Sequence, residues 1–197
     1  VPVTAFVTDD FDVHRTQFLL VNKAKPLAKG LINELLPEVN TKLPPSLAKN
    51  KIPSALCNVL NEDPDSPFRD LIARATTEKS KYQTAVVSDT SLLLTIRNSL
   101  NSVHGCLYQY HNLATGEVDL EAIRLALNLY WSGVKGTFPD AWGLKPVNSR
   151  LMHGVGVKAM GALMDRVMVG ILPSDQNARE KVMNELKLII PHCAWTK

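Results

Sequence analysis

Apolar residues recur along this chain mostly at helical spacing, and strand-like alternation is confined to short stretches. The first seven residues, VPVTAFV, alternate weakly and are rich in Val, Phe and Thr, which predicts a short strand that enters from a sheet it does not itself complete. Asp9 and Asp10 offer a helix cap, and Phe11, His14, Phe18 and Val21 share one face, so a helix is predicted over 10–22. Pro26 suits the first turn of a second helix, with Leu27, Leu31, Leu35 and Leu36 as its buried stripe and Pro37 as its end. KLPPSL at 42–47 connects to a third helix over about 46–61, with Leu47, Ile52, Leu56, Val59 and Leu60 inward. Pro53 within it leaves open two shorter helices instead. NEDPDSP at 61–67 is a turn-rich loop.

The second half repeats the helical theme. SPFRDLIARA at 66–75 reads as a short helix or a helix turning into a strand, and Thr84–Val87 as a second short strand. SDTSLLLTIRNSLN begins with capping residues and continues as helix, and GCLYQYHNLATGE is an aromatic loop. Asp119 caps the clearest helix, lined by Ile123, Leu127, Tyr130, Trp131 and Val134 and ending near Gly136. Leu151, Val155, Ala159, Leu163 and Val167 form a stripe within 148–171, interrupted by Gly154, Gly156 and Gly161, whose small size lets helices approach closely. A last helix is predicted over about 175–190, with Ser174 as cap and Val182, Leu186, Ile189 and Ile190 apolar. The expected fold is mainly α, a single multi-helix domain over 1–197 with one or two short strands near its start. Residues 1–25 form the edge of a preceding domain and 26–197 the helical part.

Composition narrows this picture. The chain has 197 residues, 45% apolar and 21% charged, which is globular and long enough for one sizeable core. Its longest apolar runs fall far short of the ~20 residues of a membrane span, and no basic segment precedes a long apolar stretch at the start, so a cytoplasmic chain with no membrane partner is expected. A chain that begins with Val is expected to be a processed product or a piece of a longer protein. Cys57, Cys106 and Cys193 are odd in number and far apart, which predicts reduced, mostly buried thiols and neither a zinc site nor a disulfide framework.

The net charge of +3 is mild, but its distribution is not even. Between Arg15 and Lys51 seven basic residues (Arg15, Lys23, Lys25, Lys29, Lys42, Lys49 and Lys51) face two acidic ones, Glu34 and Glu38. Such an excess suits either the phosphates of DNA or a nucleotide, or simply a solvated helical surface; no aromatic stacking platform accompanies it. The histidines His14, His104, His111, His153 and His192 show no metal-ligand spacing. The glycines near 154–161 lack the G-x-G-x-x-G spacing, since Ala159 stands where the last glycine is required, and no strand precedes them. Helix packing is the expectation there. No G-x-S-x-G, P-loop or kinase signature occurs, and no catalytic residue is assigned. The loop Glu62–Asp63–Pro64–Asp65 is read as solvated charge, with a cation site as the lesser reading. Trp131, Trp142 and Trp195 are expected to anchor the core, with Trp195 also placed to meet a partner.

One set of residues resembles a known family. Phe18-Leu19-Leu20-Val21-Asn22 followed by Lys23-Ala24-Lys25-Pro26-Leu27 is similar to the F-x-x-I-N-x-x-x-x-P-L stretch of the DGQHR-domain proteins. Leu60-Asn61 and Ser66-Pro67-Phe68 are similar to that family's L-N-x-x-x-x-S-P-F pattern. Tyr130-Trp131, Phe138-Pro139, Trp142 and the helix start at Gly154–Gly156 resemble its C-terminal helical region, so the likeness covers nearly all of the chain in order. The naming D-G-Q-H-R loop is absent; Asp12-Val13-His14-Arg15 lacks its Gly-Gln pair.

The resemblance implies the helical part of a ParB-like α+β protein from a DNA-modification or phage-defence system of the DNA phosphorothioation type. It implies duplex DNA and other DNA-modification proteins as partners, with a homo-oligomer also possible, and ATP as a cofactor of the full-length protein only. By the same resemblance Phe18 is a core anchor, Asn22 caps or orients a loop towards the missing motif, and Lys25 is the nearest phosphate contact. A helix C-cap is the plainer role for Asn22. The expected phosphate-binding residues are therefore Arg15, Asn22, Lys23, Lys25 and Lys29. Two other readings stand beside this one: a docking or dimerisation module without DNA binding, and part of an ATP-hydrolysing enzyme whose catalytic motif lies upstream, the isolated chain being inactive.

Overall fold

The computed structural model describes residue 7 and residues 9–21, 29–40, 43–77, 84–112 and 114–196, with the side chains of 19–21 and 29 outside that description. Seven α-helices are present among these residues. They are α1 (Phe11–Val21), α2 (Lys29–Leu35), α3 (Pro45–Glu62), α4 (Asp89–Asn101), α5 (Leu120–Thr137), α6 (Gly154–Val167) and α7 (Ala178–Lys187). The expected mainly helical architecture is thus observed. β1 (Ile72–Ala73) and β2 (Val87–Ser88) form one parallel pair, Ile72 opposite Val87 and Ala73 opposite Ser88. The strand expected at 1–7 lies outside the described residues apart from Val7.

Helix α4 is the hub. It leaves β2 directly, with Ser88 in extended conformation as the residue before its first turn, and packs on α3, α6 and α2. Helix α5 packs on α7 and α3. The α5 stripe is as the periodicity predicts: Ile123, Leu127, Tyr130, Trp131 and Val134 are all buried, and the Asp119 carboxylate accepts the Ala122 N–H at 2.9 Å. Helix α3 runs unbroken through Pro53, so the two-helix alternative does not hold. An interior proline costs about 3 kcal/mol, and the burial of Pro53 itself with Leu56, Cys57 and Leu60 offsets it. A satellite cluster of Leu36 and Val39, with Ile32, Leu35, Leu43 and Leu47 against them, ties α2 to the start of α3.

Several expectations from apolar spacing are corrected. Phe18 is 45% exposed and Phe11 76% exposed, so neither ring is a buried core anchor. Val59 is 41% exposed, on the outer side of α3. In α6 the inward face is Gly156, Val157, Met160, Gly161, Met164 and Val167, whereas Val155 and Ala159 face out. The reason is the neighbour. Ser91, Thr95 and Ser99 repeat every fourth residue on α4, and Gly154 and Gly161 of α6 lie against Ser91 and Thr95, whereas Gly156 abuts the backbone of Arg150 and Leu151. A Cβ built on Gly161 would stand 2.0 Å from Thr95 Cγ2, and one on Gly154 2.5 Å from Ser91 Oγ. Close packing is therefore what these glycines provide, as their spacing suggests. Asp165 completes the seam: Ser99 Oγ donates to its carboxylate, which also accepts the Cys106 N–H at 3.0 Å.

Phe68, Trp131 and Trp142 pack together in this core. Phe68 is fully buried, with its ring 5.0 Å from Trp131 and 5.3 Å from Trp142, and the Ser66 hydroxyl accepts the Phe68 N–H at 3.1 Å. Asn61 holds the approach to β1, its side-chain oxygen accepting from Ile72 N at 3.0 Å and its carbonyl from Asp70 N at 3.1 Å. Phe138 meets Trp195 edge-on at 6.1 Å, and Trp195 O accepts from Arg150 N at 2.7 Å, which fastens the last residues to the loop before α6. Trp195 is thus an intramolecular contact.

Cys57 and Cys106 are buried, and burial pushes each thiol up to about 12. Both stay protonated near neutrality and neither is a nucleophile. Cys193 is half-buried, and burial raises it too. Thiol titration with an aromatic disulfide reagent is expected to modify at most Cys193 in the native chain and all three cysteines once the chain is unfolded. Fast native reaction at Cys57 or Cys106 would contradict the packing.

Candidate functional site

The feature that packing does not explain lies where the two strands meet α3 and α4. Arg74 follows β1 and Asp89 follows β2, so the parallel pairing sets the two residues side by side. Both are nearly inaccessible, at 7% and 5% exposure. Arg74 Nη1 stands 3.9 Å from Asp89 Oδ2, an ion pair without a hydrogen bond, and Arg74 Nη2 donates to the Asn58 side-chain oxygen. Arg74 Nε and Nη1 and Asp89 Oδ2 have no hydrogen-bond partner among the described residues. Leaving such groups without a hydrogen bond away from water costs about 1–3 kcal/mol each and more when charged, so a buried guanidinium with two nitrogens not hydrogen-bonded among the described residues marks a candidate site.

Arg74 lines a polar cavity of about 280 Å³, with Asn58, Asn61, Glu34, Thr76 and Thr77 among its walls. The turn after Arg74 is held from both sides. Arg74 N donates to Thr77 Oγ1 at 2.8 Å, while Glu34 accepts from Thr76 N at 3.1 Å and from the Thr76 hydroxyl. Glu34 thereby holds this turn, and Glu62 and Asp70 also line the cavity. The cavity offers amides, hydroxyls, three carboxylates and one nearly buried cation, a lining suited to holding a polar ligand.

The start of helix α2 packs against this site. A Cβ built on Gly30 would stand 3.7 Å from Asp89 Oδ2 and 3.7 Å from Ala75 Cβ, so the first turn of α2 abuts the Arg74–Asp89 pair. Lys23, Lys25 and Asn22 lie just upstream, outside the described residues, as does the side chain of Lys29. Arg15 sits apart on α1 with its charge answered twice, by Glu38 at 2.6 Å and Asp12 at 3.7 Å. Of the other basic residues, Lys49 is exposed and Lys51 Nζ donates to the Val39 carbonyl at 2.6 Å.

The acidic loop resolves into structure. Burial raises the Asp63 carboxyl, but the Asp65 N–H, Asn128 and Arg124 outweigh it and hold Asp63 below the usual range. No group of histidines, cysteines and carboxylates placed to hold a metal occurs among the described residues, and none of the described helices is long and apolar enough to cross a membrane. Sequence reasoning did not find Arg74, Asp89 or Asn58. The signal available was Arg74 and Asp89, each flanking a short Val- or Ile-containing strand, but their meeting depends on strand pairing. No family model, no curated protein and no solved structure matches the chain.

Proposed function

We propose that this chain is the helical part of a DGQHR-type protein of a DNA-modification or defence system, and that it binds nucleic-acid or nucleotide phosphate. The observation that carries the reading is the place of Arg74. Arg74, its nearly buried guanidinium without a hydrogen bond at Nε or Nη1 among the described residues, lines a polar cavity, and the first turn of α2, which follows Lys23 and Lys25 in the sequence, rests against its ion-pair partner Asp89. Guanidinium nitrogens in a fixed fork suit phosphate oxygens, and the lysines that precede α2 in the sequence suit the neighbouring backbone charge. The chain's own part is recognition. ATP turnover, on this reading, belongs to the full-length protein and to a motif outside this chain, which sits in the cytoplasm with DNA and other modification proteins as its partners.

The test is fluorescence anisotropy with labelled duplex DNA between about 50 and 200 mM salt. The wild-type chain is expected to bind with an affinity that falls steeply as salt rises. The chain with Lys23, Lys25 and Lys29 all changed to Glu is expected to lose at least tenfold in affinity and most of the salt dependence. Arg74→Lys keeps the buried charge and loses the fork, and is expected to weaken binding severalfold at every salt concentration. Absence of wild-type binding, or identical salt slopes for wild type and the triple variant, would overturn the proposal.

A further inference from the structure

On the side of the molecule formed by α5 and the turns beside it, two cavities of about 510 and 400 Å³ share Asp65, Ser132 and Arg179 and so form one trough. Its apolar walls are Pro64, Pro67, Pro139 and Trp142 at one end and Leu125, Leu129 and Pro173 at the other. Lys135 and Arg179 line it as exposed cations without an ion pair among the described residues. Arg124 also reaches it, but Asp63 and Glu121 already answer its charge. Asn128 Nδ2 donates to Asp63 at 3.0 Å, which fixes that side chain in the wall.

We infer that this trough docks an acidic peptide segment of a partner protein. Wall chemistry and charge point to that occupant together. Proline and aromatic walls take extended peptide side chains. Lys135 and Arg179 match carboxylates, whereas the opposing charge in the trough is Asp65 alone. Duplex DNA would instead need a broad basic face, and two cations above a proline-lined trough do not make one.

The experiment pans a phage-displayed random dodecapeptide library on the wild-type chain, with the Lys135→Glu/Arg179→Glu variant as counter-selection. Selected peptides are then synthesised and measured by anisotropy. Enriched sequences rich in Asp and Glu that bind at least tenfold more weakly to the charge-reversed variant are the expected result. A Lys135→Gln/Arg179→Gln variant, with circular dichroism matching wild type, is expected to lose severalfold, which separates charge from folding. No enrichment, enrichment of neutral or basic peptides, or equal binding to both variants would overturn the proposal. Competition of a 20-base-pair duplex for the selected peptides would overturn it too, in favour of nucleic acid at this face.

Discussion

Arg74→Met is expected to lower the stability of the chain by about 3–5 kcal/mol, because it leaves the Asp89 carboxylate buried without an opposite charge. Asp89 is 5% exposed, with Arg74 as its only ion-pair partner among the described residues. Its Oδ1 accepts from the Thr90 hydroxyl at 3.0 Å, which does not replace the guanidinium. The double variant Arg74→Met/Asp89→Leu removes both charges and is expected to recover most of the loss, since a buried pair is seldom worth more than an apolar replacement of similar volume. Recovery should fall short by about 0.3–1 kcal/mol, because Asp89 also places negative charge in the first turn of α4. Urea titration followed by far-ultraviolet circular dichroism reads the midpoint shift at constant slope. A single variant within about 1 kcal/mol of wild type would mean that the pair does not hold the two strands to α4, and that Arg74 is free to serve a ligand alone.

Gly161→Ala is expected to cost about 1–3 kcal/mol by overpacking the α4–α6 seam, and Gly161→Leu more. The added methyl would stand 2.0 Å from Thr95 Cγ2, and Thr95 cannot swing aside, being 6% exposed with its hydroxyl donating to the Ser91 carbonyl at 3.0 Å. Thr95→Ala in the same chain removes that methyl and opens the contact to 3.1 Å from Cβ. The pair should therefore show a favourable coupling of roughly 1 kcal/mol or more in a double-mutant cycle. Additive single effects would show that the helices part instead of clashing, and that the seam is not close-packed.

The sequence by itself determined the elements and much of the core. Helix α5 was legible down to its cap because its apolar residues fall on one face and Asp119 stands where a free backbone N–H needs an acceptor. Cys57 and Cys106 were legible as buried thiols for the same reason, since they sit within apolar patterns. The α6 stripe was not, because apolar spacing marks large residues, whereas α4 selects the smallest ones to meet it. The α1 stripe misled in the opposite sense: its aromatic residues have helical spacing, yet both stay exposed.

Only the tertiary structure decided the candidate site. Arg74 and Asp89 are separated by a connection that carries no periodic signal, and they meet because two-residue strands pair in parallel and deliver the following residue of each to the same point. Residues Asn58 and Glu34 come from two further helices, at positions that a helical pattern reads as solvent-facing. Periodicity reports which side of an element is buried against apolar neighbours. It carries no information about where two buried polar groups will find each other, since that depends on the register between elements and not on the sequence within any one of them.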